Sequence, residues 1–283
     1  MNLLEALKET PNLVAAELRP PRAELEAAEG IDAWIDTYHA VRRLTREGTH
    51  VFLTDSAVGA DEEDNVRHLV TNLGPDVSRD RIVPFLTSKH SLDYCLAYAD
   101  RARQHAFPAL VVLGGDRLVG TPRCVEHAFQ LRRAIRAVVP DLVLGGWANP
   151  YADPAMQARL LAGEEFTGEF FLTQIVSHHR VEPVARFLRE VDHSDARLPG
   201  LFGVFFYRSA NPRTLAMLSR FLPVPAAELT REFDETPDPV EVCARTLRAM
   251  LEVGARHSYV SNLPLTRAHQ TLGAIVERAG AKT

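Results

Sequence analysis

Short apolar runs alternate along the chain with longer stretches in which apolar residues return every three or four positions. The runs fall at 12–17, 49–54, 81–86, 109–114, 141–146, 169–173, 200–205 and 256–260. The stretches fall at 31–47, 62–73, 91–104, 122–138, 154–164, 179–190, 212–221, 239–253 and 265–279. In the first stretch Trp34, Ile35, Tyr38, Val41 and Leu44 carry the helical period, whereas the runs are too short and too uniformly apolar for amphipathic helices. A short polar residue before proline marks helix starts at Asp153-Pro154, Asn211-Pro212 and Asp238-Pro239.

Strand followed by helix, eight times over, predicts a parallel sheet with helices outside it. The repeat is about thirty residues until the seventh unit, where an insertion around 223–239, extending with its flanks over about 222–253, breaks the spacing. No Gly-, Ser- or Pro-rich linker divides the 283 residues, so the expected architecture is a (βα)8 TIM barrel in one domain spanning 1–283. A doubly wound sheet is the alternative. It would normally carry a glycine-rich fingerprint after its first strand, and that strand runs here into Leu18-Arg19-Pro20-Pro21. The glycines from Gly114 to Gly120 lack the ending of a phosphate loop.

Composition narrows the function classes. The net charge is −5, from 37 acidic and 32 Lys and Arg residues, which gives no footprint for nucleic acid. No apolar run reaches the roughly 18 residues of a membrane span. The first ten residues alternate apolar and charged positions at helical spacing, unlike a secretion signal. Cys95, Cys124 and Cys243 are odd in number and far apart, which suits a reducing, cytoplasmic setting and argues against disulfides or a zinc knuckle.

A barrel gathers its chemistry at the carboxyl ends of the strands. Those ends read Glu17, Thr54-Asp55-Ser56, Phe85-Leu86-Thr87, Gly115-Asp116, Trp147-Ala148-Asn149, Thr173-Gln174, Phe205-Phe206-Tyr207 and Ser258-Tyr259. Glu17 closes an apolar strand, where partial burial would raise its pKa and suit it to donate a proton; the alternative is a solvated carboxylate at a turn. Asp116 is either a site acid or a turn cap. Gln174 offers an amide that can pair with a planar heterocycle, or can tie one loop to the next. Trp147, Phe205, Phe206, Tyr207 and Tyr259 would give the mouth flat apolar walls suited to a ring-shaped ligand. His178 and His179 read as a solvated helix entrance. Adjacent side chains diverge, and no carboxylate or Cys stands at a ligand spacing from them, so no metal site is expected. No GxSxG elbow supports acyl chemistry.

The segments ELRPPR, ALVVLGGD, the glycine pair of VLGGW, EFFLTQ and HSYVSN resemble, in order, strand-end motifs of methylenetetrahydrofolate reductases. That resemblance implies an α/β barrel that binds FAD and uses NAD(P)H to reduce 5,10-methylenetetrahydrofolate to 5-methyltetrahydrofolate. By position, it implies that Glu17 is the acid that opens the folate's five-membered ring. Asp116 is implied beside the pterin and flavin, and Gln174, Tyr259 and Phe205 against the folate. Thr54, Phe85, Asp116, Gly146 and Trp147 are implied on the cofactor side. The sequence departs from the family at Gly114, where an arginine is usual, at Phe85, where a histidine is usual, at Trp147-Ala148-Asn149, and at Glu164-Glu165, where a basic residue is usual. The flavin contacts are therefore less complete than the folate contacts. Two other readings keep the same barrel: a folate-linked methyl-transfer or demethylation enzyme, and a folate-binding or partner protein without turnover. The insertion is read as a lid over the substrate or as an interface with another copy or a partner protein.

Overall fold

A computed structural model describes residues 1–21, 25–55 and 77–281. The expected barrel is present: eight parallel strands pair in chain order and the last closes on the first. They are β1 Val14–Leu18, β2 Val51–Leu53, β3 Ile82–Thr87, β4 Ala109–Leu113, β5 Val143–Ala148, β6 Phe170–Val176, β7 Gly200–Phe205 and β8 His257–Ser261. Closure is made by Val14, Ala15 and Ala16 pairing with Ser258, Tyr259 and Val260.

Helices follow the strands on the outside. They are α2 Ala27–Arg46, α3 Leu92–Gln104, α4 Ala128–Val138, α5 Pro154–Ala162, α6 Val181–His193, α7 Pro212–Leu218, α8 Ala226–Glu235, α9 Pro239–Glu252 and α10 Ala268–Ala279. The helix expected at 62–73, and Ser56 with it, lie outside the described residues. Three of the starts are set by the predicted caps: Asp153, Asn211 and Asp238 each accept main-chain N–H groups with a proline at the first turn. The stretch expected as helix from 122 begins only at Ala128. Residues before it are held as loop, because the Cys124 N–H donates to the Ser88 carbonyl at 2.7 Å and the Thr121 hydroxyl to the Lys89 carbonyl at 3.0 Å.

Alternation along each strand divides the core in two. Ala15, Phe52, Val83, Phe85, Val111, Phe170, Leu172, Leu201 and Tyr259 fill the barrel interior. Residues of opposite parity, such as Ala16, Val51, Leu86, Val112 and Val260, pack under the helices. The amphipathic start of the chain is a further helix, α1 Leu3–Glu9, capped by a reciprocal Asn2–Glu5 box. Its Leu3, Ala6 and Leu7 join the interior cluster and plug the amino end of the barrel. The insertion before β8 is α8, and it packs with α7 and α9 around Leu215, Leu229 and Val242.

Candidate active site

The carboxyl end of the barrel is built from the residues that come last on the inward parity. Glu17 is the only position of β1 that is not fully buried. The Ser261 hydroxyl, at the end of neighbouring β8, donates to Glu17 Oε1. Burial outweighs this bond and pushes the Glu17 carboxyl up to about 7, so near neutrality a large share of it carries a proton. Phe85 lies deeper, with its ring 5.8 Å from that of Phe52, while Trp147 stands at the rim with 38% of its surface exposed. Phe205 is half-buried at the end of β7 and rests against Tyr207, their rings 4.8 Å apart.

Gln174 sits where β6 slips its register. Leu172 pairs with Leu201 but Ile175 with Gly203, so β6 holds one residue more than β7 across this interval. Such a bulge re-aims the side chains around it. The strand runs on to Val176, three residues beyond the expected end, because the bulge lets pairing resume. Gln174 is half-buried, and its Oε1 accepts from the Ile175 N–H at 3.0 Å. Its amide therefore has a fixed orientation at the mouth.

Two assigned residues face elsewhere. Tyr259 is fully buried inside the barrel and its hydroxyl donates to the Thr173 carbonyl at 2.6 Å, which corrects its expected place against the ligand. The room for that hydroxyl comes from Gly203, where a Cβ would lie 2.5 Å from it. Gly146 has the outward parity: a Cβ there would meet the Phe166 ring and the Arg132 guanidinium, in the layer under the helices. Its expected place on the cofactor face is corrected accordingly.

Asp116 shows the turn-cap geometry. Its Oδ1 accepts the N–H groups of Leu118 at 2.8 Å and Val119 at 3.0 Å, and these bonds hold its pKa below the ordinary carboxylate value. Glu17 thus tends to hold its proton, whereas Asp116 is ionised. Thr54 is half-buried at the end of β2. Beside it Asp55 Oδ2 accepts from the Thr87 N–H at 2.6 Å and hydroxyl at 2.9 Å, and the carboxylate meets His90 Nε2 at 2.9 Å.

Among the described residues near this rim, Lys89, Arg117 and Arg123 are engaged by the protein. Lys89 is buried, with Nζ donating to the carbonyls of Val119 and Thr121 at 2.7 Å each. Arg117 pairs with Glu126 at 3.4 Å. Arg123 occupies the space that a side chain at Gly114 would need: a Cβ there would fall 2.8 Å from its guanidinium carbon. Its Nη2 donates to the Gly115 carbonyl. A positive group therefore returns to the place of the missing arginine from nine residues further along the chain, and no local motif announces it. Glu164 and Glu165 are exposed.

His178 and His179 are not a solvated entrance. Their rings lie 3.9 Å apart, and both Nε2 atoms reach one carboxylate oxygen of Glu232, from α8. The expectation failed because the partner stands 53 residues beyond His179 and enters only when the insertion folds back.

Comparison with known proteins adds a fold and no family. No protein-family model matches the chain, and no curated protein does. Among solved structures, it is similar to an uncharacterized protein from Clostridium thermocellum that binds two copies of 5-methyl-5,6,7,8-tetrahydrofolic acid. The TM-score is 0.69 at 15% identity, over 98% of this chain and 97% of the other. At that identity the likeness shows the barrel and its full-length extent. Among the described residues, no helix is long and apolar enough to cross a membrane.

Proposed function

We propose that the mouth binds a reduced folate and that the chain reduces 5,10-methylenetetrahydrofolate to 5-methyltetrahydrofolate. The observation that carries this reading is Glu17, a carboxyl with its pKa raised to about 7 at the carboxyl end of the barrel. It is supported by the order of the strand-end motifs. The full-length likeness to a solved barrel that binds 5-methyltetrahydrofolate agrees with it.

The chemistry needs a proton and a hydride. Glu17 gives its proton to the folate nitrogen that departs as the five-membered ring opens, leaving a methylene iminium on the other nitrogen. Reduced nicotinamide, when bound, would supply the hydride that turns this methylene iminium into the methyl product, and solvent would reprotonate Glu17. Gln174 holds the pterin edge by its amide, and Trp147 and Phe205 cover the ring faces. Ionised Asp116 stays available to a pterin donor.

No step is routed through FAD, because the sequence departs from the resembled family at Gly114, Phe85, Trp147-Ala148-Asn149 and Glu164-Glu165, the positions that the resemblance sets near the flavin. The neighbour's description as a binder favours a second reading, folate binding without turnover.

NAD(P)H oxidation measured with 5,10-methylenetetrahydrofolate, with and without added FAD, tests the proposal. Turnover without FAD is expected. Turnover that appears only with FAD overturns the flavin-free scheme, and folate binding with no oxidation under either condition establishes the second reading.

A further inference from the structure

The turn after β6 and the insertion helix bring three metal-binding side chains together. His178 and His179 lie on the 3-10 turn His178–Arg180, which begins from a Ser177 cap, and Glu232 comes from the last turns of α8. Glu232 Oε2 is 3.2 Å from His178 Nε2 and 2.9 Å from His179 Nε2. All three donor atoms lie within 4.8 Å of one another.

From this geometry we infer that His178, His179 and Glu232 form a zinc site. A tetrahedron with metal–ligand bonds of about 2.0–2.1 Å sets its donor atoms roughly 3.3–3.4 Å apart, close to the two separations present. The groups around the three residues hold them as ligands. His178 Nδ1 is 2.8 Å from the Thr246 hydroxyl, which fixes the ring and leaves Nε2 facing inward. Arg245 Nη1 takes Glu232 Oε1 at 2.9 Å, which leaves Oε2 to the histidines. Both partners come from α9, so three separate elements converge on the site.

Access is graded in the way a metal ion requires. The Glu232 side chain is 6% exposed, while the histidines keep 16% and 18%. A water can therefore complete the coordination as a fourth ligand. Imidazole and carboxylate together suit zinc and other late first-row ions, and unlike an Mg2+ or Ca2+ site this one is not built from oxygen alone. Bound there, the ion would clamp the insertion onto the turn that follows the Gln174 bulge.

Calorimetric titration of Zn2+ into the untagged, chelator-treated full chain tests the inference. Metal analysis after desalting and the visible spectrum of the Co2+ form complete the measurement. One ion per chain is expected, with the intense absorption of tetrahedral Co2+. His179→Gln and Glu232→Gln should each weaken binding at least tenfold, Thr246→Val should weaken it about tenfold, and His193→Ala, exposed and distant in sequence, should leave it unchanged. Circular dichroism identifies any variant that does not fold, and two independent ligand variants guard against losing one. Absence of saturable binding, or equal binding by wild type and both ligand variants, would show a hydrogen-bonded cluster only and overturn the site.

Discussion

The two ends of the barrel use the same alternation of inward residues for opposite purposes. At the amino end, α1 lays Leu3, Ala6 and Leu7 over the interior and closes it. His50 is buried there, and burial lowers its pKa to about 4; His257 accepts the Leu13 N–H at 3.2 Å and is lowered for the same cause. At the carboxyl end no helix covers the interior among the described residues. Glu17 is raised to about 7 and Trp147 stands exposed. Desolvation acts on both ends alike and favours the neutral form of each group. It keeps His50 and His257 neutral at the amino end and favours the protonated form of Glu17 at the carboxyl end.

The comparison breaks most sharply at Glu17. Glu17→Gln should cut turnover by about 10²–10⁴ while leaving folate affinity within a few-fold, read from steady-state kinetics beside a binding titration. Undiminished turnover would remove the acid from the scheme. On the floor, Leu7→Ala should cost about 2–5 kcal/mol in urea unfolding through the cavity it opens, with turnover per folded molecule unchanged. Loss of turnover there would mean that the two ends are not separable.

The pH dependence of stability distinguishes the ends by sign. Glu17 binds a proton more tightly folded than unfolded, so its contribution is full below its ordinary value of 4.5 and is lost as pH rises through about 7. His50 behaves oppositely: its folded pKa is depressed from 6.5 to about 4, so its contribution is full above 6.5 and is lost as pH falls through about 4. The windows overlap and the two slopes oppose one another. Relative to wild type, Glu17→Gln should therefore gain stability as pH rises across the overlap, and His50→Gln should lose it, by up to about 1.4 kcal/mol per pH unit. Denaturant midpoints across that range would check both. Slopes of the same sign would refute the assignment. The smallest effect is expected from Trp147→Ala, with stability within about 0.5 kcal/mol because the ring is at the surface, and weaker folate binding if it covers the ligand.

The strands were legible because short apolar runs have few other uses, and the observed ends differ from the expected ones by only a few residues in most cases. Glu17 was legible for a related reason: a carboxylate ending an apolar strand has little choice but the rim of the barrel. Asp116 could be read two ways from sequence, and the geometry displays its capping bonds. Parity separated Trp147 from Gly146, since neighbours on a strand face opposite sides and only the strand's register tells which side is inside.

The order of elements, the caps at Asp153, Asn211 and Asp238, and the apolar period of each helix are local properties, and the sequence alone determined them. The tertiary structure decided what depends on residues far apart in the chain. Arg123 fills the space beside Gly114, Gly203 admits the Tyr259 hydroxyl, and Glu232 meets His178 and His179. Each of these is a contact between side chains whose meeting is set by how the loops and the insertion fold back. Local propensity and periodicity carry no record of such meetings, whereas the burial they create sets the charge state of Glu17 and holds the three metal-binding residues together.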